Sequence, residues 1–300
     1  MQRSLVVGLF TLVVMIGPIL FASPASAGNI WLTGHDADFH CAGNQQCNHF
    51  GIALDFVRQA APDKTKPILF LDSGTELTTA AGKVPAKAKN TVEGAGNPFN
   101  FTVVDPTSAG FASLALTTSA FSAIVVASDS SCGGCDNNAA DIAAINARTA
   151  DLTLFFNSGG GLAYFAGAEN RGTYYQSVPI PATGVAVSAP FTLTADGIAI
   201  GLIGGSGSTS DTNCCPTHNS FLLPAAGSPL KVAETDSAGF AETLFAGNVS
   251  IGPPGDGGGG GFIPTPGTPG DGSVPEPATV LLLGSGLFAL AGFRRKFRSN

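Results

Sequence analysis

The sequence predicts an α/β domain: a mostly parallel sheet with helices on both faces. Two observations carry this. Between Asn29 and Ile251, short apolar runs of strand length alternate with segments of helical periodicity, the βαβα rhythm of a parallel sheet. That stretch, about 220 residues long, is enough for one substantial core, and no repeat of solenoid length interrupts it.

Taken in order, Ile30-Trp31-Leu32 is a short first strand. Asn48–Ala61 places Phe50, Ile52, Ala53, Phe56, Val57 and Ala60 close to one helical face, and Pro62 ends that helix. Ile68–Leu71 and Phe101–Val104 follow as strands. Ser108–Leu116 is a helical or irregular stretch leading to Ile124–Ala127, the clearest buried strand. Asn137–Phe156 reads as one long helix with Ile142, Ile145, Leu152 and Phe156 facing inward. Gly159-Gly160-Gly161 stops it, and Leu162–Ala166 is the next strand. The later runs Val185–Val187, Phe191–Leu193, Ile198–Ile203, Leu230–Ala233 and Leu244–Phe245 read as strands that extend the sheet or form an edge hairpin.

Both ends carry addresses. Residues 1–27 hold a cation at Arg3, an apolar run from Leu5 to Ala22, and Ala25-Ser26-Ala27 before Gly28, the pattern of a cleaved secretory signal. Residues 252–273 contain 15 Gly or Pro in 22 positions and read as a flexible spacer. Beyond it come Val274-Pro275-Glu276-Pro277, an uncharged stretch over 278–293, and the cations Arg294, Arg295, Lys296 and Arg298. Sixteen residues rise roughly 24 Å as a helix, a little short of a ~30 Å hydrocarbon core, with snorkelling Arg and Lys stems covering part of the difference. The cations favour a cytoplasmic C-terminus.

These three parts resemble, in this order, the PEP-CTERM sorting signal of bacterial surface proteins. The resemblance implies cleavage near Val274–Pro277 by an exosortase, a membrane-bound cysteine protease, after a membrane-anchored stage. The other reading of the tail is a single-span anchor without processing. The resulting division is 1–27 signal peptide, 28–251 exported domain, 252–273 linker and 274–300 sorting signal. Signal peptidase, the secretion machinery and the exosortase are the implied partners, with exopolysaccharide as the implied surroundings.

Removing Arg3, the four tail cations and Glu276 leaves 9 basic and 20 acidic side chains, a net charge of −11. Such a surface repels phosphate backbones, which argues against nucleic acid as a partner. All six cysteines, Cys41, Cys47, Cys132, Cys135, Cys214 and Cys215, lie between the two signals. An even count in an exported chain favours disulfides, and six cysteines allow 15 connectivities. Cys132-Gly-Gly-Cys135 is also compatible with a redox pair or half a zinc site.

The core carries a second resemblance. Ile124–Ser128, a helix, then Phe155-Phe156-Asn157-Ser158-Gly159-Gly160-Gly161-Leu162 is similar to a passage of the class I glutamine amidotransferase-like superfamily, in which a helix ends at a glycine run and a buried strand follows. It implies a flavodoxin-like architecture. The superfamily's nucleophile is missing, because the chain reads Ala166-Gly167-Ala168-Glu169-Asn170 where Gly-x-Cys-x-Gly would stand.

In a parallel sheet the loops after the strand C-termini share one edge, where ligands bind. Three polar loops are expected there: Thr33–Asn48, Ser128–Asn138 and Gly204–Asn219. His35, Asp36, Asp38 and His40 offer imidazole and carboxylate donors for a divalent metal. The competing reading is a polar loop closed by Cys41–Cys47. Glu169 and His218 form a candidate general acid–base pair. The two functional readings are a non-enzymatic surface or matrix protein and a secreted hydrolase using the metal or Glu/His site.

Overall fold

The runs with the densest apolar content become the centre of the sheet because both their faces are covered. The computed structural model describes residues 27–40, 49–73, 99–129, 137–168, 170–204, 212 and 217–247. β1 (Ile30–Thr33), β2 (Ile68–Leu71), β3 (Phe101–Val104), β4 (Ala123–Val126) and β5 (Gly161–Tyr164) form a parallel half in the order β3-β2-β4-β5-β1. β1, β2, β4 and β5 are buried along their whole length. In the flavodoxin order, 2-1-3-4-5, the last strand fills the fifth place. Here the first strand of the chain fills it.

The sheet continues past β1 in antiparallel fashion. β6 (Gly184–Val185), β7 (Thr192–Leu193), β8 (Ser220–Phe221), β9 (Lys231–Thr235) and β10 (Ala241–Ala246) make this half, with β10 against β1 and both β8 and β9 against β10. The later apolar runs therefore extend the sheet as expected, with one correction. Within Ile198–Ile203, expected as a strand, the structure has the end of a helix, Ala195–Ala199, capped by the Thr194 hydroxyl accepting from Gly197 N–H. A short apolar run does not distinguish the two states, and the cap decides it.

Strand alternation sends side chains to two cores. Leu32, Leu71, Ile124, Val126, Leu162 and Tyr164 meet Ile142, Ile145, Leu152 and Phe156 on one face. Trp31, Phe70, Val125, Ala163 and Phe165 meet Phe50, Ala53 and Val57 of the helix His49–Arg58 on the other. Burying each such large side chain contributes about 1.5–3 kcal/mol. The expected long helix over 137–156 is two helices, Ala139–Asn146 and Thr149–Asn157. A capping box of Asn138 and Asp141 opens the first. Arg148 breaks the run by donating to the carbonyls of Phe111 and Leu114 and to Asp151. Gly159, with φ of 95°, turns the chain from the second helix into β5.

Among the described residues no helix is long and apolar enough to cross a membrane. The signal sequence before Ala27, the linker, the span 278–293, Glu169 and all six cysteines lie outside the described residues, as does the side chain of His40.

Candidate functional site

Two residues beyond the end of β1, His35 is placed by its neighbours on both sides. It forms a bridge with Thr217, and His218 N–H donates to the Gly34 carbonyl. This needs Gly34: a Cβ there would stand 1.6 Å from the Asn219 carbonyl oxygen. Asn219 in turn accepts from Gly167 N–H and the Tyr175 hydroxyl, which locks the 217–219 segment onto the end of β5.

The register of β1, β10 and β9 puts Thr33, Thr243 and Glu234 in one row across three strands. A register shift on either side of Thr243 marks a bulge, and it lets Glu242 reach the same place as Glu234. His35 Nε2 lies 3.1 Å from Glu234 Oε2 and 2.9 Å from Glu242 Oε2. Its Nδ1 lies 2.7 Å from Thr217 Oγ1. Glu242 Oε1 accepts from Gly34 N–H, and the Thr243 hydroxyl lies within hydrogen-bond distance of both carboxylates. His35, Glu234 and Glu242 are all fully buried.

His49, the first residue of its helix, stacks edge-on against His35 at 4.8 Å and Trp31 at 5.3 Å between ring centroids. It too is fully buried, yet neither ring nitrogen has a hydrogen-bond partner. An unsatisfied buried polar group costs about 1–3 kcal/mol.

The electrostatics follow from the burial. Desolvation alone would lower the His35 pKa, but the carboxylates of Glu242 and Glu234 outweigh it and raise it to about 10, so the ring is an imidazolium near neutrality. Desolvation, together with the His35 charge, pushes His49 down to about 3 and keeps it neutral. Glu242 is buried, but the His35 charge and its hydrogen bonds hold its pKa below the usual carboxylate value. Burial dominates for Glu234 and raises it. The cluster can hold protons between fixed donors, and imidazole nitrogen with carboxylate oxygen is also a donor set for a transition metal.

A second polar cluster adjoins it. The Ser128 hydroxyl, just past β4, lies 2.6 Å from Asp36 Oδ1 and 2.6 Å from Asp38 Oδ1, and Ser128 N–H donates to Asp38 Oδ2. His218 Nε2 lies 3.5 Å from Asp36 Oδ2, with the His218 side chain 28% exposed and Asp36 buried. Beside Ser128, the Asp129 carboxylate accepts from Asn170 N–H, which joins the loops after β4 and β5.

The described parts of the three expected loops meet here: His35, Asp36 and Asp38 from the first, Ser128 from the second, and Thr217 and His218 from the third. Of the expected metal ligands, His35 turns to Glu234 and Glu242, whereas Asp36 and Asp38 turn to Ser128. Of the expected acid–base pair, His218 sits at this edge beside Asp36. Sequence reasoning missed Glu234, Glu242 and Ser128, and gave His49 no role. One signal was present: Ala233-Glu234-Thr235 and Ala241-Glu242-Thr243 repeat a Glu flanked by Ala and Thr in two apolar strands.

Fold and site together define an α/β domain with a buried His–Glu cluster at the seam of its two half-sheets. Residues 273–296 match the PEP-CTERM protein-sorting motif, which supports exosortase-dependent sorting of an exported, membrane-anchored precursor to the cell surface. No curated protein and no solved structure matches the chain, so the amidotransferase-like resemblance of the core has no support from them.

Proposed function

We propose that this chain is a cell-surface or extracellular-matrix protein. Residues 28–251 are the delivered domain, 252–273 its spacer, and 274–300 the segment on which the exosortase acts. One observation carries the reading: the motif match at 273–296 falls on Val274–Pro277, the apolar stretch and the first three of the four following cations. Signal peptidase and the secretion machinery act on the other end. The acidic surface suits a soluble domain outside the cell, in the company of exopolysaccharide. A non-enzymatic role is supported by the most developed polar cluster, which is enclosed rather than presented to solvent.

Expressed in a host with an exosortase, the surface form should lack residues 1–27 and the segment from near Val274. Intact mass spectrometry that finds Phe293–Asn300 still attached to that form rejects the sorting reading.

A second reading, a secreted hydrolase, is favoured by His218. It is a partly exposed imidazole whose Nε2 lies 3.5 Å from the buried Asp36 carboxylate, at the edge of the sheet where ligands bind, which makes it a candidate general base. Hydrolysis of chromogenic esters or glycosides that disappears in His218→Ala would establish it.

A further inference from the structure

We infer that His35, His49 and Glu234, with Glu242 as the fourth donor, form a structural site for a divalent transition metal of the zinc class. One ligand atom from each of His35, His49 and Glu234 lies within 4.8 Å of the others. Tetrahedral zinc with bonds of about 2.0–2.2 Å holds its ligands about 3.3–3.5 Å apart, so small side-chain rotations close the site.

The independent observation is His49. A fully buried imidazole with both nitrogens unpartnered faces a second imidazole and a carboxylate, and an ion there would satisfy the nitrogen that carries the lone pair. Glu234 adds a buried Oε1 with no hydrogen-bond partner. Outer contacts of the kind that orient metal ligands are already in place. Thr217 holds His35 Nδ1, which turns Nε2 toward the site, and the Thr243 hydroxyl lies within 2.9 Å of a Glu234 oxygen and 2.6 Å of a Glu242 oxygen, with one proton to donate to either. Charge also balances: two carboxylates and two neutral imidazoles around a divalent ion sum to zero inside a desolvated core. Three grouped donors, a Glu242 oxygen 2.9 Å from His35 Nε2 to complete the set, and full burial describe a closed site, hence a structural ion rather than a catalytic one. Of the sequence-predicted metal residues only His35 belongs to it.

The test uses the full-length chain, solubilised in detergent after export, and two probes, Zn²⁺ and Co²⁺. The stripped protein should take up one equivalent of Zn²⁺ per chain by elemental analysis. Its melting temperature should rise by roughly 5–10 °C at a hundredfold excess over Kd. The Co²⁺ form should show d–d bands without thiolate charge transfer. His49→Phe keeps the ring contacts with Trp31 and His35 and removes no hydrogen bond. It should leave the metal-free melting temperature within a few degrees of wild type. It should weaken Zn²⁺ binding by more than the roughly 10–100-fold that outer-shell partners command. Three results would each overturn the site: no uptake by the wild type, wild-type affinity in His49→Phe, or thiolate charge transfer in the Co²⁺ form, which would move the ion to the cysteines. All three are independent of whether the tail is cleaved.

Discussion

Removing the His35 imidazole from the metal-free protein should cost about 3–5 kcal/mol near neutral pH. In chelator, His35 is the cation between the buried carboxylates of Glu234 and Glu242. His35→Ala leaves both carboxylates without it, and breaking a buried pair from one side costs about 3–5 kcal/mol. The difference between 6.5 and about 10 for His35 sets a similar ceiling, about 5 kcal/mol. For a domain of this size that lowers Tm by roughly 6–20 °C. The pH dependence makes the test specific. The folded-state pKa of His35 lies above its unfolded value, so its contribution is complete below about 6.5 and disappears as pH rises through about 10. The deficit of His35→Ala should therefore shrink above pH 10, where wild type also loses the positive charge. It should shrink again in acid, where the stranded carboxylates take up protons. Chemical denaturation of both proteins across pH 4–11, at constant chelator, measures this. A deficit below about 1 kcal/mol at pH 7, or one that does not vary with pH, would refute the ion-pair account.

Gly34→Ala should destabilise by about 3 kcal/mol, the upper end for overpacking, because the clash is with backbone that cannot rotate away; denaturant titration reads it. Asn138→Ala should cost about 1 kcal/mol and roughly 2–4 °C in Tm, because its side chain caps Ala140 and Asp141 N–H and anchors the capping box; calorimetry resolves a loss of that size.

The parallel half was legible because its strands are buried on both faces, so burial shows as uninterrupted runs such as Ile68–Leu71 and Ala123–Val126. The helix over His49–Arg58 was legible from periodicity. The break at Ala147-Arg148 was not, since it depends on the Phe111 and Leu114 carbonyls more than thirty residues away. The two-residue strand β8 exists only through pairing and carries too little local pattern to register, whereas β6 and β7 overlap the apolar runs Val185–Val187 and Phe191–Leu193. The site divided along the same line. His35, Asp36, Asp38 and His218 stood out as polar residues in loops. Glu234 and Glu242 were hidden inside strands, where a lone Glu ordinarily faces solvent and where a bulge, not alternation, turns the second one inward.

Why the polar chemistry gathers where it does follows from strand order. In a parallel sheet the natural crevice opens between strands whose continuations run in opposite directions, here β2 and β4, since β2 leads to β3 on one side and β4 to β5 on the other. At that point the buried Asn137 amide donates to the carbonyls of Leu71 and Ala127 and ties the two strand ends together. β1 offers a second junction, because it is parallel to β5 on one side and antiparallel to β10 on the other. A residue just past its end meets loops from the parallel half and side chains from the antiparallel half at once. His35 and Asp36 occupy that position and divide it. His35 faces the carboxylates of β9 and β10, while Asp36 faces Ser128 after β4 and His218 before β8. A flavodoxin-order sheet, whose fifth strand comes last in the chain, would put a different segment at this seam. Placing the first strand there puts the His-Asp-x-Asp sequence at the one junction where both halves can supply partners.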